Sequence, residues 1–287
     1  MLINRSINQS INGSINKSVN GASGGSSVPN MQNIIPSANF DADATVAESF
    51  TSGQTWANLV ASPFDSEAQT AYDLQLGATS GSSTDDPTFT GSAGDSAAYF
   101  ACDGGDLVSL VNSNANAPFF NKLHMGATGQ KWWYAWVFKS STSAASQYIL
   151  NAADGSSGNH GMSILLTSGG ALTAFQSNGS ANVSMSGANG NLSFNTDNLV
   201  IATYDRDAGL WKIYVNGTLV VDLSSITFNA DATDATYAYR LGGLSGGAIK
   251  WGAGTRLYAF SGGDSFLSQA DVNAIKAEYD LRHGRSY

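Results

Sequence analysis

Three glutamates (Glu48, Glu67 and Glu278), three histidines (His124, His160 and His283) and one cysteine (Cys102) are the residues through which this 287-residue sequence could do chemistry. Retaining hydrolysis of a glycosidic bond needs two carboxyl groups about 5–5.5 Å apart across one cleft. Glu48 and Glu67 precede most of the strand-forming sequence and Glu278 falls in a helical stretch, so no glutamate pair meets that need. Asp205 and Asp207 are close in the chain, but they sit in a turn. The histidines are scattered, and no Gly-x-Ser-x-Gly elbow stands between a strand and a helix, so a Ser-His-Asp triad has no frame. Cys102 can form neither an internal disulfide nor a thiolate metal cluster, and reads as a small buried apolar residue. The glycines of LGGLSGGAIKWGAG (Leu241 to Gly254) precede a strand rather than a helix, which leaves no phosphate cradle.

The bulk composition narrows the partners. Only 12% of the residues are charged, about half the usual share. The 32 glycines, with many Ser, Asn, Ala and Thr, suit strands joined by turns and disfavour long helices. A net charge of −9 repels phosphate backbones, so nucleic acid is not an expected partner. No stretch approaches 18 apolar residues and MLINRSINQS lacks the apolar run of a secretory signal, so neither membrane insertion nor secretion is expected.

The chain opens on a four-residue phrase, SINQSINGSINKSVNG (Ser6 to Gly21). Ile3, Ile7, Ile11, Ile15 and Val19 recur every four residues, and on a helix that stripe drifts by about 40° per step. The intervening Ser, Asn and Gly also compete with a helical backbone. Extended, the segment has one polar face and one half-apolar face, which suits a strand that borrows a sheet edge from another chain. A disordered tail is the competing reading. Residues 1–21 are therefore expected to be an attachment or oligomerisation arm, 22–39 a flexible linker and 40–287 the globular domain.

Within that domain the elements are those of an all-β fold. Lys131 to Phe138 alternates Trp132, Tyr134 and Trp136 with Trp133, Ala135 and Val137, so both faces are apolar and the strand belongs deep in a sandwich. Leu199 to Tyr204, Leu210 to Val215 and Thr218 to Asp222 form a meander whose second turn, Asn216-Gly217, favours a type I′ hairpin. Further strands are expected at 97–102, 107–110, 148–152, 161–167, 171–176, 237–241 and 255–261. Ser268 and Asp271 frame a capping box ahead of a short helix, 269–283, whose Val272, Ile275 and Tyr279 share a face and which stops at Gly284.

The passages Leu199 to Asp222 and Arg256 to Tyr279 resemble the concanavalin A-like lectin/glucanase superfamily in its laminin-G-like branch, and Asp86 to Leu110 is similar to strands of such domains in bacteriophage structural proteins. The resemblance covers about residues 70 to 284 and implies a two-sheet antiparallel jelly-roll sandwich of about a dozen strands. Glucanases of that superfamily carry two glutamates about four residues apart around an aspartate on one strand, a pattern missing here, so no catalytic residue is assigned. Its calcium-binding members direct attention to Asp103 and Asp106 in CDGGD and to Asp154, although Asp-Gly also simply makes turns. Calcium therefore stays open, and no metal ligand or cofactor is assigned.

The resulting expectation is a non-enzymatic virion structural protein, made in the host cytoplasm and placed on the virion surface. It would be a capsid decoration protein or head fibre, with its arm on the major capsid protein or another virion protein and a homotrimer favoured. The alternative is a glycan-binding module of a tail fibre or baseplate that meets host polysaccharide. Trp56, Trp251 and Tyr258 are then the contact candidates, with core packing the competing reading for each.

Overall fold

A computed structural model describes residues 28–110, 118–121, 128–141, 146–152, 160–178, 182–225, 227, 240–243 and 251–287. The arm residues Ile3, Ile7, Ile11, Ile15 and Val19, together with His124 and Asp154, lie outside them.

Two antiparallel sheets of eight strands each form a jelly-roll sandwich. The first contains β1 (Ala38–Asp43), β4 (Thr88–Thr90), β5 (Tyr99–Ala101), β7 (Lys131–Lys139), β12 (Asp197–Asp205), β13 (Leu210–Val215), β14 (Thr218–Leu223) and β16 (Arg256–Gly263). The second contains β2 (Thr55–Trp56), β3 (Leu74–Leu76), β6 (Val108–Leu110), β8 (Gln147–Asn151), β9 (His160–Leu166), β10 (Leu172–Asn178), β11 (Asn182–Ser186) and β15 (Arg240–Leu241). Helix α1 (Pro118–Asn121) is one turn long, and α2 (Gln269–His283) is the only long helix among the described residues. The first sheet runs β14-β13-β12-β7-β16-β5-β4, and the second runs β11-β10-β9-β8-β15-β6-β3-β2. β16 pairs with β7 on one side, and on the other with β5 through Arg256 and Leu257 and with β1 from Ala259 onward.

Strand β7 shows how the layers stack. Trp132, Tyr134, Trp136 and Phe138 point into the core between the sheets, where Tyr134 and Phe260 stack with ring centroids 5.8 Å apart. Trp133, Ala135 and Val137 point to the other face, which is covered by Val272, Ile275 and Tyr279 of α2 and by Met31 and Ile35. The apolar alternation on both faces thus reflects a sandwich on one side and a helix on the other.

The linker expected at 22–39 is corrected over its described part. Met31–Asn33 is a 3₁₀ turn capped by Asn30, Met31 is fully buried, and β1 already begins at Ala38. Close backbone approach makes this possible: at Gly263 a side chain would meet the main chain of Ser37 and Ala38, and at Gly262 the ring of Phe40. The meander and the closing helix match expectation. Asn216 and Gly217 have φ of 52° and 82°, the paired positive values of a I′ turn. Ser268 and Asp271 close a reciprocal capping box, and Gly284 ends α2 in the left-handed region. No described helix is long and apolar enough to cross a membrane.

Candidate functional site

Among the described residues, the groups with catalytic potential do not converge. Glu48 is exposed after β1, Glu67 lies before the 3₁₀ turn Gln69–Tyr72, and Glu278 pairs with Arg282 at 2.8 Å on α2. Asp205 builds its turn: Oδ1 accepts the backbone N–H groups of Asp207 and Ala208, and Oδ2 lies 2.8 Å from Lys131 Nζ. Asp207 accepts the N–H of Gly129 at 2.9 Å. Asp103 Oδ1 accepts from Gly105 N–H, and Asp103 N–H donates to Asp106 Oδ2, so both carboxylates serve the CDGGD turn.

His283 is more suggestive. Its Nε2 lies 3.1 Å from Asp43 Oδ2 and its Nδ1 2.5 Å from the Tyr287 hydroxyl, while Arg282 Nη1 reaches Asp41 at 2.8 Å and Asp43 at 3.4 Å. Burial pushes the Asp41 carboxyl up, against the pull of Arg282. Burial acts on Asp43 in the same sense, but His283 and then Arg282 outweigh it and hold that carboxyl at about 2. Asp41, Asp43 and His283 are all at or below 2% exposure, and none of them borders the surface cleft described below. The cluster therefore clamps α2 onto β1.

Trp56, Trp251 and Tyr258 are each only 1% exposed, which corrects their reading as stacking surfaces. Trp56 packs on Phe100 with centroids 4.8 Å apart, and Trp251 on Phe138 at 5.4 Å. Tyr258 lies beneath Arg285, 4.1 Å from its ring centre, and donates to Asp197 at 3.0 Å. β2 and β16 turn Trp56 and Tyr258 toward the two cores, and Trp251 enters the core between the sheets from the segment ahead of β16. A polar row also crosses five strands of the second sheet, with Ser163, Asn151, Arg240, Ser109 and Gln75 opposite one another. Asn151, its second member, is fully buried, so no ligand reaches that point.

An accessible cleft lies elsewhere among the described residues, at the flank of the sandwich where both sheets end. Strands β14 and β11 meet on one side of the molecule. On the other, β4 and β2 end their sheets and leave a cleft of about 390 Å³. One wall is Phe50 to Gln54, leading into β2. The other is Ser82, Ser83, Asp86 and Pro87, leading into Thr88 and Phe89 of β4.

Each wall is held locally. Leu76 N–H donates to the Gln54 carbonyl at 2.9 Å, which ties the first wall to β3. In the second, Ser83 N–H donates to Asp86 Oδ2 at 2.7 Å, Ala78 N–H to Asp85 Oδ2 at 3.0 Å, and the Ser83 hydroxyl to Asp85. Gly77, at φ 74°, leaves the Asp86 carboxylate the space that a side chain would fill. Beneath lie Phe50, Phe89 and Phe100, with neighbouring centroids 4.8 to 5.5 Å apart. Phe89 is half-buried, and the Ser and Thr hydroxyls around it are exposed. Such a place offers an apolar plate ringed by hydroxyl, amide and carboxylate groups, with no acid/base pair. Sequence reasoning did not single out these residues. The available signal was the run GATSGSSTDD (Gly77 to Asp86), whose composition says only that a loop is present.

No protein-family model matches the chain, and no curated protein matches its sequence. Solved structures match in shape. A structure of botulinum neurotoxin type C, whose cell entry is described as dependent upon interaction with two ganglioside molecules, superposes with a TM-score of 0.55 at 13% identity, covering 88% of this chain and 53% of that one. A Trypanosoma rangeli sialidase mutant displaying trans-sialidase activity gives 0.54 at 10% identity, covering 94% of this chain and 36% of that one. The CBM40 of Ruminococcus gnavus IT-sialidase bound to α2,3-sialyllactose gives 0.49 at 18% identity, covering 62% and 95%. The chain thus spans about half of the neurotoxin chain and about a third of the sialidase chain. At these identities the likeness to the neurotoxin and the sialidase mutant bears on the fold alone.

Proposed function

We propose that the chain is a non-enzymatic glycan-binding module that works through the flank cleft. The observation that carries this is the cleft itself: an open, polar-walled groove over a half-buried Phe89, in a domain whose glutamates never pair. Sugars bind such places by setting a C–H face on an aromatic ring while their hydroxyls meet polar side chains. The fold supports the reading, because the botulinum structure belongs to a protein described as interacting with gangliosides. The test is a glycan array followed by calorimetry on the hits, with Phe89→Ala as the cleft variant. Binding weakened about tenfold or more by that change, with the melting temperature held, supports the module. Absence of any glycan ligand refutes it.

A second reading concerns what carries the module. We propose that it is displayed on a virion surface as a capsid decoration protein or head fibre. Residues 1–21 would bind the major capsid protein or another virion protein, and the chain would associate as a trimer. The observation favouring it is the repeated Ile/Val-Asn phrase joined to a domain whose first turn is fixed, Met31 N–H donating to Asp41 Oδ2 at 2.7 Å. Removing residues 1–25 should abolish incorporation into particles while leaving the melting curve unchanged. A truncated protein that still decorates particles refutes the arm.

A further inference from the structure

We infer that the flank cleft selects by charge, accepting uncharged sugars and turning away acidic ones. The inference rests on the glycan-binding reading and adds the class of ligand. Its basis is the balance of groups in the walls. Asp86 lines the cleft, and Asp85 stands next to it in the same loop. Both carboxylates are fixed by N–H and hydroxyl donors of their own loop rather than by swinging free. Gly77 leaves room for Asp86 to hold that position. No lysine or arginine is among the lining residues. The cation that acts on this loop is Arg240, half-buried in the second sheet; its guanidinium feels the Asp85 carboxylate and does not line the cleft.

The exposed hydroxyls of Thr51, Ser52, Ser82, Ser83 and Thr88 supply further acceptors along both walls. A wall rich in acceptors and without cations fits a ligand that brings donors, and sugar hydroxyls are such donors. A carboxylate on the ligand would meet one or two like charges in a half-solvated groove. On a chain of net charge −9, the long-range field adds to that repulsion.

Matched pairs of probes test this with the full chain: lactose against 3′-sialyllactose, and maltohexaose against hexagalacturonate. Affinities are measured by calorimetry at low and high salt, with and without calcium. The expected result is about tenfold weaker binding of the acidic member at low salt, the gap closing as salt screens the charges. Asp86→Asn should narrow the gap with the melting temperature held, whereas Phe89→Ala should weaken the neutral member. Equal or tighter binding of the acidic member, in either salt or with calcium alone, overturns the selection while leaving the module reading in place. Neutral binding that neither variant alters overturns the cleft as its seat. Failure of every probe and of the array overturns both readings.

Discussion

Two pairs of carboxylates close in sequence meet opposite fates. Asp41 and Asp43 sit two apart on β1, face the same way and are fully buried, whereas Asp85 and Asp86 are adjacent in a loop and half-exposed. The first pair is answered from the far end of the chain, by the Arg282 guanidinium and the His283 imidazole on α2. The second is hydrogen-bonded by backbone N–H groups and a hydroxyl within eight residues of itself, with Arg240 acting on Asp85 only through its field. Burial decides the difference. Away from water a carboxylate needs a counter-charge, and the fold is built around supplying one. At the surface, neutral donors suffice, and a carboxylate can still accept from a ligand.

If that contrast is right, the largest effect belongs to Arg282. Its side chain is 3% exposed and spans Asp41, Asp43 and Glu278. Arg282→Met leaves two buried carboxylates without their guanidinium and should cost about 3–5 kcal/mol, read from denaturant unfolding by the fluorescence of the buried tryptophans. A loss below 1 kcal/mol would break the comparison at its stronger end.

The same cluster sets an acid response of intermediate size. Asp43 is held at about 2 when folded against an ordinary 3.8, so its contribution of about 2 kcal/mol is complete above pH 4 and is lost as the pH falls through 2. Asp41 works the other way, because burial raises its carboxyl and protonation relieves the fold. Between pH 4 and 2, Asp43→Asn should therefore flatten the decline in stability, whereas Asp41→Asn should act only above about pH 4, where it removes the gain in stability that protonating Asp41 gives as the pH falls toward 3.8. Matching slopes in the two variants would show that the carboxylates are not distinguished in this way.

These opposed roles explain which parts of the molecule could be read in advance. The aromatic alternation of Lys131–Lys139, the Asn216-Gly217 hairpin and the Ser268/Asp271 cap are local signals, and each sits where its spacing placed it. β1 was hidden because two carboxylates in a six-residue strand contradict any apolar pattern until Arg282 is brought to them from 241 residues away. Strands β2 and β4, of two and three residues, are shorter than any period can show. The cleft was hidden for a related reason. It joins two loops that are each unremarkable in composition and become a site only because both sheets end beside them. Trp56, Trp251 and Tyr258 drew attention by residue type, which cannot say whether an aromatic ring faces inward or out.

The helix that carries Arg282 offers a smaller check. Ser268 Oγ accepts from Asp271 N–H at 3.3 Å, and Asp271 Oδ2 accepts from Ser268 N–H at 2.8 Å. Ser268→Ala should cost about 1 kcal/mol, since one capping bond goes while Asp271 still serves the backbone. The clamp lies at the opposite end of α2, so this loss should add to that of Arg282→Met within about 0.5 kcal/mol in the double variant. A larger coupling would mean that the helix is held as one unit by its two ends.

The smallest expected effect is the one that most sharpens the contrast. Asp86→Asn keeps an oxygen that can accept from Ser83 N–H and strands no buried cation, because none faces it among the described residues. Its stability should therefore stay within about 0.5 kcal/mol of the unaltered chain. A carboxylate held for packing alone would leave ligand binding equally untouched. One that faces a ligand should change sugar preference at constant stability, and it is this separation of the two readouts that the buried pair cannot show. If Asp86→Asn instead destabilised the protein as much as Arg282→Met, the loop would have to be reclassified as part of the scaffold, and exposure would no longer divide binding carboxylates from structural ones in this fold.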